Sequence, residues 1–250
     1  MKSHILRTGL AVISSVAMLA TTAAAQPAPA PLFNWSGFYL GAHADYSWGG
    51  GDVETVLIPA PAPYTAKVDL DGWGGGLRAG YDVRSGNWVA GLVADLSLTN
   101  IQGDGFIGPS LPVPGGSAGG SFHDVSQTID KFGTLRARVG ILATERMLAF
   151  VSGGLSFGRV NLSSDTFYGP FITRFVASET KWKAGWTVGG GAEWSLGSGW
   201  SVLAEYLYYD LGKTTVLANP SPPGSPGPLA NRWKSEGHIV RFGLNYRFGG

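Results

Sequence analysis

The stretch WKAGWTVGGGAEW, Trp182 to Trp194, alternates from end to end. Trp182, Ala184, Trp186, Val188, Ala192 and Trp194 fall on one side of an extended chain, and Lys183, Gly185, Thr187, Gly189, Gly191 and Glu193 on the other. A period of two belongs to a β-strand, whose successive side chains point to opposite faces. One face is apolar and carries tryptophan at both ends. The other is mostly glycine with isolated charges.

The pattern recurs. Phe38, Leu40, Ala42, Ala44, Tyr46 and Trp48 oppose Tyr39, Gly41, His43, Asp45 and Ser47. Trp73, Leu77, Ala79 and Tyr81 oppose Gly74, Gly76, Arg78, Gly80 and Asp82. Trp88, Ala90, Leu92, Ala94, Leu96 and Leu98 oppose Val89, Gly91, Val93, Asp95 and Ser97. Ile129, Leu135, Ala137, Val139 and Ile141 oppose Asp130, Thr134, Arg136, Arg138 and Gly140, with Lys131 a misfit on the apolar face. Ala149, Val151, Leu155 and Phe157 oppose Ser152, Gly154, Ser156 and Gly158, with Phe150 a misfit. Trp200, Val202, Ala204, Tyr206 and Tyr208 oppose Ser201 and Glu205; Val240, Phe242, Leu244, Tyr246 and Phe248 oppose Arg241, Gly243, Asn245 and Arg247.

These are eight strands of the length that crosses a bilayer when tilted. Three connections are tight: VRSGN, ATER and LGSG. Four are long: about Gly49 to Gly72, Asn100 to Ser126, Asn161 to Lys181 and Leu211 to Gly237. Short turns on one side and long loops on the other predict an all-β fold: an eight-stranded antiparallel transmembrane β-barrel with short periplasmic turns and four long extracellular loops. Aromatics bracket the apolar face. Trp35, Trp88, Trp194, Trp200 and Phe248 lie toward the short-turn side, and Trp48, Trp73, Trp182 and Tyr208 toward the long-loop side. They match the belts at two membrane interfaces.

Lys2, His4 and Arg7, the apolar run Leu10 to Ala20, and the small residues Ala23 and Ala25 have the three parts of a secretory signal peptide. The expected division is residues 1–25 as signal peptide, 26–34 as a short Pro/Ala-rich segment, and 35–250 as the outer-membrane barrel. Removing Lys2 and Arg7 lowers Lys+Arg from 18 to 16 against 17 Asp+Glu, so the remaining chain is near neutral and no pull toward nucleic acid is expected. Cysteine is absent, so no disulfide holds the fold.

The run NWSGFYLGAHADYSWGG resembles the opening strand of Omp25/Omp31-type outer-membrane proteins of alphaproteobacteria, whose W-x-G-F-Y-x-G motif is matched by Trp35, Gly37, Phe38, Tyr39 and Gly41. TLRARVGI, Val151 to Gly158, AEYLYYDLG and GLNYRF are also similar to segments of that family. The resemblance implies an eight-stranded OmpA-like barrel in the outer membrane of a Gram-negative bacterium. It also implies contact with outer-membrane lipid and lipopolysaccharide, and with the barrel assembly machinery during insertion. Such barrels usually end in an aromatic; here Phe248 is followed by Gly249 and Gly250. Some relatives are associated with haem binding, but no residue here marks a ligand site.

The inward face carries Asp45, Arg78, Asp82, Asp95, Arg136, Arg138, Glu193, Glu205, Arg241 and Arg247. A barrel of eight strands leaves an interior that side chains roughly fill, and buried charges must be paired. The expectation is a structural charge network centred on Asp45, Arg78, Asp95, Arg136, Arg138, Glu193, Glu205 and Arg241. A polar conduit is the alternative. Asp45 is expected to pair with a lumen arginine and His43 to join the same network.

Other motifs carry little. GGSAG (Gly115 to Gly119), with His123 and Asp124 behind it, matches G-x-S-x-G, but a nucleophile elbow needs a strand-to-helix turn and this loop has no helix signal. GWGGGLRAG lacks the βαβ unit that a dinucleotide loop requires. His43, His123 and His238 share no ligand spacing, so no metal is expected. No catalytic residue and no cofactor are expected either, and no cofactor-binding residue is assigned. The long loops carry Phe106, Tyr168, Phe171 and Trp233 as a possible partner surface. The functional expectation is a structural, non-catalytic barrel contributing to envelope integrity and surface properties. Alternatives are a small porin-like channel and loop-mediated binding of haem, host or phage. No pattern fixes an oligomeric state.

Overall fold

The computed structural model describes residues 33–57, 63–113, 116–221 and 227–248. The expected signal peptide, the first residues of the Pro/Ala-rich segment and the Gly249–Gly250 tail lie outside them.

Eight long strands form the barrel: β1 Gly37–Leu57, β2 Tyr64–Ser85, β3 Trp88–Ile107, β4 Phe122–Thr144, β5 Met147–Tyr168, β6 Thr173–Gly197, β7 Trp200–Ala218 and β8 Leu229–Arg247. Each pairs antiparallel with its sequence neighbour, and β8 returns to β1, with Leu40 opposite Tyr246 and Asp45 opposite Arg241, so the ring closes. Closure leaves no free sheet edge within the bilayer, which a membrane-spanning sheet requires. The tight turns are those the sequence indicates. In the β2–β3 turn Gly86 has φ +61, the left-handed conformation that a two-residue hairpin demands and that glycine adopts without penalty.

The strands run 19 to 25 residues, well beyond the 9–11 or so needed to span. Most of each long connection is therefore hairpin continuing above the membrane, topped by irregular chain. Residues Ser110–Val113 and Gly116–Gly119 add a small hairpin there.

In this extension the alternation persists but its polarity reverses. Along β2 the even-numbered side chains point inward throughout. Within the membrane they are Gly74, Gly76, Arg78, Gly80 and Asp82; above it they are Tyr64, Ala66, Val68 and Leu70, while Lys67, Asp69 and Asp71 face out. The lower half solves the problem of lipid outside and polar groups within, the upper half that of water outside and an apolar core within.

Two expectations are corrected here. Ile129 is buried inside, not on the lipid face with Leu135 and Ala137. A bulge between Ile129 and Lys131 shifts β4 by one residue, because an extra residue reverses the facing of everything beyond it. Lys131, on the membrane side of the bulge, keeps the outward register of Leu135 and Ala137 and is exposed on the outer face. Trp35 belongs to no lipid belt. It precedes β1, is fully buried, and packs with Val89, Leu142, Leu148, Phe150 and Leu203 inside the periplasmic mouth. Its indole nitrogen donates to the Glu145 carbonyl at 3.1 Å.

Candidate functional site: the barrel lumen

The inward glycines make room for long side chains. A Cβ at Gly80 would overlap the Tyr39 hydroxyl, and one at Gly91 would overlap the Asp82 carboxylate. Into that space point Arg78, Arg136, Arg138, Arg241 and Arg247 with Asp45, Asp82, Asp95, Glu193 and Glu205, all buried. Five cations face five anions.

They sort into two balanced groups. In the lower group Arg138 donates twice to Asp82, from Nε at 2.9 Å, and once to Glu193 at 2.8 Å. Arg247 donates to Asp82 at 2.7 Å and to the Trp35 carbonyl at 2.9 Å. Ser201 and Asn245 donate to Glu193 at 2.6 and 3.0 Å. The Tyr39 ring lies between both guanidinium groups, 4.9 Å from Arg138 and 4.8 Å from Arg247, within cation–π range.

In the upper group Arg136 is the hub. It donates to Glu205 at 2.5 and 3.2 Å, to Asp95 at 2.9 Å, and to Ser152 at 2.9 Å. Thr134 donates to Asp95 at 2.6 Å. Arg241 forms ion pairs with Asp95 at 3.0 Å and Asp45 at 3.4 Å. Arg78 stands apart. Its guanidinium makes no hydrogen bond among the described residues; it lies 3.9 Å from Glu205 and 6.0 Å from the Tyr39 ring. His43 Nε2 is 2.9 Å from the Ser97 hydroxyl, which donates to Asp45 at 3.3 Å.

All eight residues expected to form the network thus project into one lumen, joined by Asp82 and Arg247. The threonine and serine hydroxyls that complete it were not singled out by sequence. Their signal was position alone: Thr134, Ser97 and Ser201 occupy inward places in the alternation.

The charged layer is bounded on both sides. Below lies the apolar plug around Trp35. Above lies a larger apolar layer that includes Val68, Leu70, Phe132, Leu207, Tyr209 and Trp233. Trp233, expected on a loop surface, is therefore interior, because Leu229–Arg247 is strand and its odd positions face in. A polar bridge crosses this layer: Gln127 and Lys183 both reach the Ser235 hydroxyl, at 2.8 and 3.1 Å.

A polar layer follows near the extracellular end. The His123 ring is held between two hydroxyls, Nδ1 at 2.6 Å from Thr166 and Nε2 at 3.1 Å from Thr55, with the Tyr64 ring edge-on at 5.2 Å. Burial lowers its pKa to about 4, since a buried imidazole loses the hydration that stabilises its charged form. With threonine partners and Asp124 facing outward, His123 forms no catalytic pair with its neighbour. Gly116–Gly119 is a short strand, not the strand-to-helix turn of a nucleophile elbow. Among the described residues no group of three or more histidines or carboxylates could hold a metal.

A closed antiparallel ring with a lipid-facing apolar band, two aromatic belts and a charge-filled lumen defines an outer-membrane β-barrel protein. Residues 14–248 match the family described as outer membrane protein beta-barrel domain, and the chain belongs to that family. It is 33% identical to the 31 kDa outer-membrane immunogenic protein of Brucella melitensis, across 99% of this chain and 100% of the relative. It is 30% identical to the 22 kDa outer membrane protein of Rhizobium leguminosarum bv. viciae over 74% of this chain and 69% of that one. These are relatives of the Omp25/Omp31 type, and the outer membrane is the chain's location. Among solved structures the barrel is similar to the outer membrane protein OprG from Pseudomonas aeruginosa, with a TM-score of 0.54 at 13% identity, covering 86% of this chain and 97% of that one. That likeness concerns the fold alone.

Proposed function

We propose that this protein is a closed, non-catalytic outer-membrane barrel that contributes to envelope integrity and to the properties of the cell surface. The observation that supports this is the layering of the lumen. A balanced network of ten charges lies between two apolar layers, so an ion entering it would have to displace paired groups and cross apolar packing on both sides. Breaking buried pairs one partner at a time is costly. The lumen carboxylates are held by arginine and hydroxyl donors, and a buried, ion-paired carboxylate has no access to substrate.

Planar-bilayer recording tests the reading. The purified barrel is expected to insert without reproducible single-channel steps. Steps of defined conductance would overturn closure and favour a small diffusion channel. An enzymatic turnover abolished by one lumen substitution would overturn the non-catalytic part.

A further inference from the structure

The lipid-facing wall is not uniform. Over β2 to β6 the outward residues Ala79, Ala94 and Gly133 are small, and between the larger Leu96, Phe157 and Trp182 they leave an open groove of about 710 Å³. That lies within the roughly 300–1,000 Å³ typical of small-molecule pockets. Its lining is mostly apolar, with Lys131 at its upper end; the inward-register residues Arg78, Asp95 and Ser97 also border it.

The level of Lys131 follows from β4. Ile141 faces out at the periplasmic end, ten residues below. At about 3.3 Å per residue and a tilt near 40°, Lys131 stands roughly 25 Å above it, the height of the apolar band and so the level of the outer headgroups. Arg159 is its direct cross-strand partner on β5, and the belt residue Trp182 is next on β6. Two like charges placed opposite each other on a sheet destabilise it. Among the described residues, the one carboxylate within ion-pair distance of either is Asp130, 3.6 Å from Arg159. Lys131 makes no ion pair among the described residues. Lys131 is the last residue of the outward register of Leu135 and Ala137 before the bulge, above an apolar groove.

We propose that this face is a binding site for a phosphorylated, multiply acylated lipid of the outer leaflet. Its acyl chains would lie in the groove, and its phosphate would bridge Lys131 and Arg159. An anion held by both cations relieves their repulsion through charge-assisted hydrogen bonds, and the groove supplies apolar contact that a free anion cannot use. The site lies on the outer wall, so it is independent of whether the lumen conducts.

The test uses the intact barrel in neutral detergent, with heat-modifiable gel migration confirming that each variant is folded. Fluorescent bisphosphorylated lipid A is titrated against the wild type, the double variant K131A/R159A, and A94W, which fills the groove and leaves the cations in place. Saturable wild-type binding is expected, weakened at least about tenfold in each variant, the scale of losing a hydrogen bond to a charged group. Lipid A stripped of phosphate should bind the wild type as weakly as intact lipid A binds the double variant. Unchanged affinity in either variant would overturn the site. Equal binding of phosphatidylglycerol would reduce it to general lipid contact, and full displacement by inorganic phosphate would reduce it to an anion site; either outcome also overturns it.

Discussion

Arg241 of β8 and Asp95 of β3 form a 3.0 Å ion pair across the lumen, although β1 and β2 separate their strands in the sheet. Sheet hydrogen bonds cannot join strands that far apart in the ring. Only side chains that reach through the interior can, so this pair acts as a strut across the barrel.

Removing one end of the strut should therefore cost more than removing both. Asp95→Ala leaves Arg136 and Arg241 short of a counter-charge, and a loss of about 3–5 kcal/mol is expected. Replacing the pair together, as Asp95→Leu with Arg241→Met, should cost less than either single change. Urea unfolding in phospholipid vesicles, read by gel mobility, gives the comparison. A double variant as damaged as the sum of the singles would count against a coupled network.

Trp35 provides a second test. Because it is buried in the periplasmic mouth while Trp88 faces lipid at the same end, the two should respond differently. Trp35→Ala is expected to destabilise the barrel by about 3–5 kcal/mol, as for a large core aromatic, and Trp88→Ala by clearly less. Equal losses would return Trp35 to the interface belt.

The polarity reversal predicts opposite sensitivities along one wall. Leu96 faces lipid in the membrane half, so Leu96→Arg should cost about 2–4 kcal/mol. Asp69 faces out above the membrane, and Asp69→Ala should stay within about 0.5 kcal/mol. Val68, its inward neighbour, should not tolerate Val68→Asp. The same unfolding assay orders all three.

His123 sets a pH dependence for the extracellular end. Its folded pKa of about 4 lies below the usual histidine value of about 6.5. Between these values the unfolded chain takes up the proton and the folded one does not. The stability held by neutral His123 is thus complete above about pH 6.5 and is lost as pH falls toward 4. Hydrogen exchange at Thr55, His123 and Thr166 should rise over that window, and His123→Gln should flatten the response.

Much of this architecture was legible because a strand's period is short and its two faces meet different solvents. Tyr39, Arg78 and Glu193 could be assigned inward from alternation alone. Three features escaped. Alternation fixes which residues share a face but cannot say which solvent each face meets, so β2 from Tyr64 to Leu70 read as loop once its outward residues turned polar. Ile129 was misplaced because a bulge is a backbone event with little trace in composition. Trp35 and Trp233 were misplaced because tryptophan serves equally as interface anchor and as core.

The polarity reversal bears on how the chain finds its register. If β2 slipped by one residue, Arg78 and Asp82 would turn toward acyl chains and, along the same strand, Val68 and Leu70 toward water. Two unlike solvents would each reject the same error. The extracellular hairpins, whatever surface they present, also proofread the alignment of the segments that cross the membrane beneath them.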